Sequence, residues 1–173
     1  GLFSLVEQID EQFADYHFSD GTGNIYKEVW PIHSNGNIQS DKKFYQSLVT
    51  NKKKGVNNNI IKSFAENMVN ANDSEIQTII ENHMNLNQML SYAVVDRAIR
   101  HDDGPFHWYC DWGQCEPHNF FWYENPSTRK IHLIPWDLDN SFENIIENTN
   151  PVTPIADDWG DTTNNCQTFN YGE

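Results

Sequence analysis

The side chains with the most chemical reach gather between positions 103 and 142, which read DGPFHWYCDWGQCEPHNFFWYENPSTRKIHLIPWDLDNSF. Asn119, Asp137 and Asp139 offer amide and carboxylate oxygens, the donors that a hard divalent cation such as Mg²⁺ prefers. Their neighbours say how they are brought together. Residues 118–123 and 130–135 are rich in aromatic and β-branched types, and Asn125-Pro126-Ser127-Thr128 between them is turn chemistry, so the pair reads as a hairpin. If Glu124 faces Lys130, Asn119 lies opposite Pro135 and Pro117 opposite Asp137, which collects the three oxygen donors at the open end. Asp and Asn also favour strand ends merely because they cap turns and face water.

Other donor sets in this stretch point to other chemistry. His107, Cys110, Cys115 and His118 form H-x2-C-x4-C-x2-H, a zinc-like set whose spacing is not one of the usual patterns. The run from Asp137 starts like an EF-hand loop, but Phe142 stands where glycine is needed and Asn148 where the closing glutamate belongs. No G-x-S-x-G occurs to suggest a serine hydrolase. Cys115 and His118 read as structural rather than as a nucleophile and its base. Trp122 and Trp136 fall in the strands and are expected to pack rather than to stack on sugars.

The elements that must carry these residues follow from pattern. Residues 2–9 read as a strand, 10–18 as a short helix, and 25–30 as a second strand ended by Pro31. Helices are expected from Asp41 to about Thr50, across 57–70, from an Asp73 cap through Ile76, Ile79 and Ile80, and from Asn85 onward. That last, long helix is read along Leu86, Met89, Leu90, Ala93, Val94, Arg97 and Ile99 and is stopped by Asp102-Asp103-Gly104-Pro105. Residues after 150 show little periodicity.

The 173 residues suffice for one domain with a real core. The 25 acidic against 11 basic residues leave a net charge of −14, which disfavours nucleic acid and anionic membranes as partners. No apolar run approaches the roughly 20 residues of a membrane span. The chain opens on Gly1 within an apolar stretch, and is expected to be a piece of a longer protein. Cys110, Cys115 and Cys166 allow one disulfide in an exported protein, with the pairing left open.

Against this background the chain resembles the CotH (spore-coat protein H) kinase-like family. The resemblance runs through residues 1–10, Asn24-Ile25-Tyr26-Lys27, Tyr92-Ala93-Val94-Val95-Asp96-Arg97, Asp103-Gly104, His118-Asn119-Phe120-Phe121-Trp122-Tyr123 and Ile134-Pro135-Trp136-Asp137-Leu138-Asp139. It implies an α+β domain, the large C-terminal lobe of an atypical protein-kinase fold, mainly helical with a metal-bearing hairpin and with most of the N-terminal lobe lacking. Residues 1–31 would be the end of the small lobe and the hinge, 41–149 the helical lobe, and 150–173 an irregular tail. The implied reaction is transfer of phosphate from ATP, with Mg²⁺ or Mn²⁺, to a Ser or Thr of a protein substrate that is exported or part of a coat. In that scheme Asn119, Asp137 and Asp139 hold metal and Asp103 orients the acceptor, with Asp111 as the alternative. Glu7, Gln8 and Ile9 would line the adenine edge. Lys27 lies after the hinge and reads as an amphipathic strand residue, so the phosphate-anchoring lysine is expected upstream. The competing reading is a kinase-shaped surface or coat-assembly protein without catalysis.

Overall fold

A computed structural model describes residues 5–52, 57, 59–101, 103–106 and 117–142. In chain order the elements are α1 (Glu11–His17), β1 (Ile25–Lys27), α2 (Asp41–Ser47), α3 (Asn59–Val69), α4 (Ile76–His83), α5 (Leu86–Ala98), β2 (Phe120–Asn125) and β3 (Lys130–Pro135), followed by a 3₁₀ turn at Leu138–Asn140. The class is α+β, as expected. The chain divides into two compact units, Gly1–Leu86 with Phe121–Ile134, and Asn87–Phe120 with Pro135–Glu173. No described helix is long and apolar enough to cross a membrane.

The first unit is built on a three-stranded sheet in the order β1-β2-β3. β1 runs antiparallel to β2, with Tyr26 opposite Trp122. As the central strand, β2 is buried along its whole length, which suits its run of four aromatics. The turn from β2 to β3 is made by Asn125, whose Oδ1 accepts from the amides of Ser127 and Thr128 at 3.0 and 3.2 Å. This is the local bonding that makes Asn a turn residue. Asp10 caps α1 by accepting from the amides of Gln12 and Phe13, and Lys130 closes α4. The Lys130 ammonium donates to the carbonyls of Glu81 and Met84 at 3.0 and 3.1 Å, satisfying acceptors that a helix end leaves open.

A carboxylate sits in this core. Glu124 is 2% exposed and accepts from the Ile61 amide in the first turn of α3 at 2.8 Å, and from Asn24 Nδ2 and the Tyr26 hydroxyl at 2.9 Å each. Burial pushes its carboxyl above the usual range, and the same three donors pull the other way. One side chain thus joins β1, β2 and α3.

Several expectations need correction. Residues 5–9 form no strand, and Leu5 and Val6 lie exposed. β1 stops at Lys27 because Glu28 turns left-handed, with φ of 51°. Ser40 rather than Asp41 caps α2, its hydroxyl accepting from the Lys43 amide. Asp73 does not cap α4, which begins after Glu75 without a side-chain cap. The largest departure is α5. Leu90 and Val94 are 53% and 54% exposed, whereas Asp96 and Arg97 are the buried residues of the helix. Periodicity locates an apolar stripe, but here the C-terminal turn buries a charged pair, Asp96 and Arg97, each bonded to His101 in the loop that follows.

Candidate functional site

The mouth of the hairpin belongs to the second unit. Asn119 precedes β2 with a left-handed φ of 56°, and its carbonyl accepts from the Trp136 amide at 3.0 Å. Asn119 therefore faces Trp136, one residue beyond the Pro135 partner expected from the turn. The Asn125 turn supplies the difference: β2 extends through Asn125 and β3 begins at Lys130, so the pairing starts one residue later. A one-residue slip reverses which face a side chain takes.

The Asn119 side chain is 9% exposed, and its Nδ2 donates to Asp103 Oδ2 at 2.8 Å. That bond commits the nitrogen end of the amide to a half-buried carboxylate, so the oxygen is the end with cation chemistry. Asp103 and Asn119 lie 16 residues apart in sequence and meet because α5 ends just before Asp103.

The way α5 ends is specific. The amide of His101 donates to the carbonyl of Asp96 at 3.0 Å and that of Arg100 to Arg97 at 3.2 Å, while Arg100 takes a left-handed φ of 54°. This is the Schellman close, usually made with glycine at the left-handed position. Side chains double it. His101, fully buried, places Nδ1 at 2.9 Å from Asp96 Oδ1. Arg97 sets Nη1 at 3.7 Å from Asp96 Oδ2 and donates to the His101 carbonyl at 3.3 Å. Burial and then the Asp96 charge push the nearby Tyr92 phenol far above its ordinary range.

The other ring nitrogen of His101 reaches the acidic turn. Its Nε2 lies 3.2 Å from the Asp137 carbonyl, and Asp137 is itself left-handed, with φ 49° and ψ 67°. Beyond the 3₁₀ turn, the Phe142 amide donates to the Ile99 carbonyl at 2.7 Å. The end of α5 therefore grips the 137–142 segment on both sides of the carboxylates of Asp137 and Asp139, which are exposed.

Among the described residues no three His, Cys, Asp or Glu side chains form a metal-holding group. The candidate oxygen donors are the exposed carboxylates of Asp137 and Asp139 and the Asn119 amide oxygen. That sparse oxygen set suits Mg²⁺, which usually takes one or two protein carboxylates and fills its shell with water and substrate phosphates. It does not suit a closed protein cage. Of the remaining expected site residues, Glu7 and Gln8 are exposed, with Glu7 3.1 Å from His17 Nε2, and Ile9 is buried. Asp111, the cysteines and His107 lie outside the described residues, and His118 is exposed. Asp96, His101 and Gly104 were not singled out from sequence as site residues. The adjacent Asp96-Arg97 in an otherwise apolar stretch is the one signal that could have found them.

Over residues 1–170 the sequence matches the protein family described as CotH kinase protein. A comparison with curated proteins finds no match.

Proposed function

We propose that this chain, which belongs to the CotH kinase family, carries the acceptor-orienting and cation-holding part of a phosphoryl-transfer site. The reaction is transfer from ATP to a Ser or Thr hydroxyl of a protein substrate, one that is exported or part of a coat. The observation that carries this reading is the 2.8 Å bond from Asn119 to Asp103, made by the same residue whose carbonyl secures the strand leading into Asp137. An acceptor-side carboxylate and the cation-facing donors are thereby linked through one amide.

In this reading Asp103 accepts the proton of the substrate hydroxyl as that oxygen bonds to the γ-phosphorus. The bond to the bridging oxygen breaks in line, and ADP leaves. Asn119 holds Asp103 in place through its Nδ2 and presents its oxygen, with Asp137 and Asp139, to Mg²⁺ or Mn²⁺. Such a cation, when bound, neutralises charge on the phosphates. The kinase-lobe assignment and the adenine-edge role of Glu7, Gln8 and Ile9 are parts of the same proposal.

Calorimetric titration of ATP with Mn²⁺ or Mg²⁺ into the chain and into Asp137→Ala tests it. Asp137 is exposed, so its removal deletes a donor and no core contact. The expected result is cation-dependent binding in the parent and none in the variant. Unchanged binding in Asp137→Ala would refute the assignment and favour the non-catalytic surface or coat-assembly role.

A further inference from the structure

We propose that Asn72 is a site of N-linked glycosylation and that the cleft between α3 and α4 seats the first sugars of the glycan. The inference rests on the chain being exported, and not on the phosphoryl-transfer reading.

The sequence holds two Asn-x-Ser triplets, Asn72-Asp73-Ser74 and Asn125-Pro126-Ser127, and no Asn-x-Thr. Glycan transfer needs a middle residue other than proline, which rules out the second. The fold draws the same distinction. Asn125 is 3% exposed, and its Oδ1 is committed to the amides of the β2–β3 turn. Asn72 lies exposed in the loop between α3 and α4, where a bulky hydrophilic group has room.

Local bonding leaves the Asn72 amide able to take a sugar. Its Oδ1 accepts from the Ser74 amide at 3.2 Å and from the Ser74 hydroxyl at 2.5 Å, so the two functional ends of the triplet already meet. Its Nδ2 donates to Glu75 Oε2 at 2.6 Å. A primary amide carries two hydrogens on nitrogen, and glycosylation replaces one. The nitrogen can therefore bear the glycan and still donate to Glu75, while the Asn72 backbone amide keeps its own bond to the same oxygen at 3.0 Å. Glu75 also leads to the seat. With Asn67, Asn70, Ser74 and Thr78 it lines a cleft of about 410 Å³. Amides, hydroxyls and a carboxylate are groups that pair with sugar hydroxyls.

In the transfer, Asn72 Nδ2 bonds to the anomeric carbon of an oligosaccharide carried on a lipid pyrophosphate. The bond from that carbon to the pyrophosphate oxygen breaks, the pyrophosphate leaves with the electron pair, and the amide proton passes to a base of the transferase.

The test uses the whole chain secreted from a eukaryotic host behind a cleavable leader. The Asn72 peptide is weighed before and after enzymatic release of N-linked glycans. Parent and Ser74→Thr are expected to carry sugar mass on Asn72, and Asn72→Gln and Ser74→Ala to lose it. Release should also lower the melting midpoint of the parent, because the cleft loses its occupant. A folded, secreted parent with a bare Asn72 overturns the site, as does an undiminished sugar mass in Asn72→Gln. An unchanged midpoint on release overturns the seating in the cleft. The leader supplies export here, so these outcomes do not depend on where the chain resides in its source. Finding the chain only inside the cells of its source would instead remove the export reading beneath the proposal.

Discussion

Glu124 offers the sharpest test of how the first unit is held together. Replacing it with Ala would leave two buried donors, the Ile61 amide and the Tyr26 hydroxyl, without their acceptor, while Asn24 Nδ2 keeps the Asn57 carbonyl at 2.9 Å. At about 1–3 kcal/mol for each buried group left unsatisfied, the loss should reach at least ~2 kcal/mol. That is a large share of the ~5–15 kcal/mol that stabilises an ordinary domain. Glu124→Gln keeps the shape and one acceptor oxygen, so its cost near neutral pH should be only about 1–2 kcal/mol. The pH dependence separates charge from shape. Burial raises the Glu124 carboxyl above 4.5, so the folded chain holds this proton more tightly than the unfolded one. The stability this contributes is fully present below the ordinary Glu value and is lost as pH rises through the raised one. The gap between parent and Glu124→Gln should therefore narrow from acid toward neutral pH, since other titrating groups are shared. Urea unfolding followed by the fluorescence of Trp122, buried at 1% exposure, measures it. A gap that is constant or widens with pH would refute this account of the buried carboxylate, as would an Ala variant as stable as the parent.

Three further outcomes follow from the same physics. Lys130→Met should lower stability by about 1 kcal/mol, because the Glu81 and Met84 carbonyls at the end of α4 lose their donor and their cation. Thermal melts measure this, and an unchanged midpoint would show that water caps the helix equally well. Tyr92→Phe should stay within about 1 kcal/mol of the parent or exceed it, since the Tyr92 hydroxyl is buried without a hydrogen bond among the described residues. In alkaline absorbance titration Tyr26 and Tyr92 should ionise late, because burial raises both. The stability they contribute is present below about pH 10 and lost as pH rises through their raised values. Early ionisation of all tyrosines in a folded chain would contradict it.

Much of this protein was legible without coordinates, because much of it is locally encoded. The aromatic runs around Asn125-Pro126 determine a hairpin, since turn bonding and strand preference act within a few residues. The short helix read over 10–18 and the periodicity of 57–70 likewise correspond to α1 and α3, and the HNFFWY and IPWDLD stretches carry the family. Tertiary structure alone decided the rest. Local turn chemistry does not state where pairing begins, so the slip that sets Asn119 against Trp136 appears only when the Asn125 side chain closes the turn. Hydropathy puts Leu90 and Val94 inside and Asp96 outside, and the fold reverses it. A buried charge is tolerable only when its hydrogen-bonding needs are met, and whether Glu124 finds Asn24 and Ile61, 100 and 63 residues away, depends on chain segments that come together only on folding.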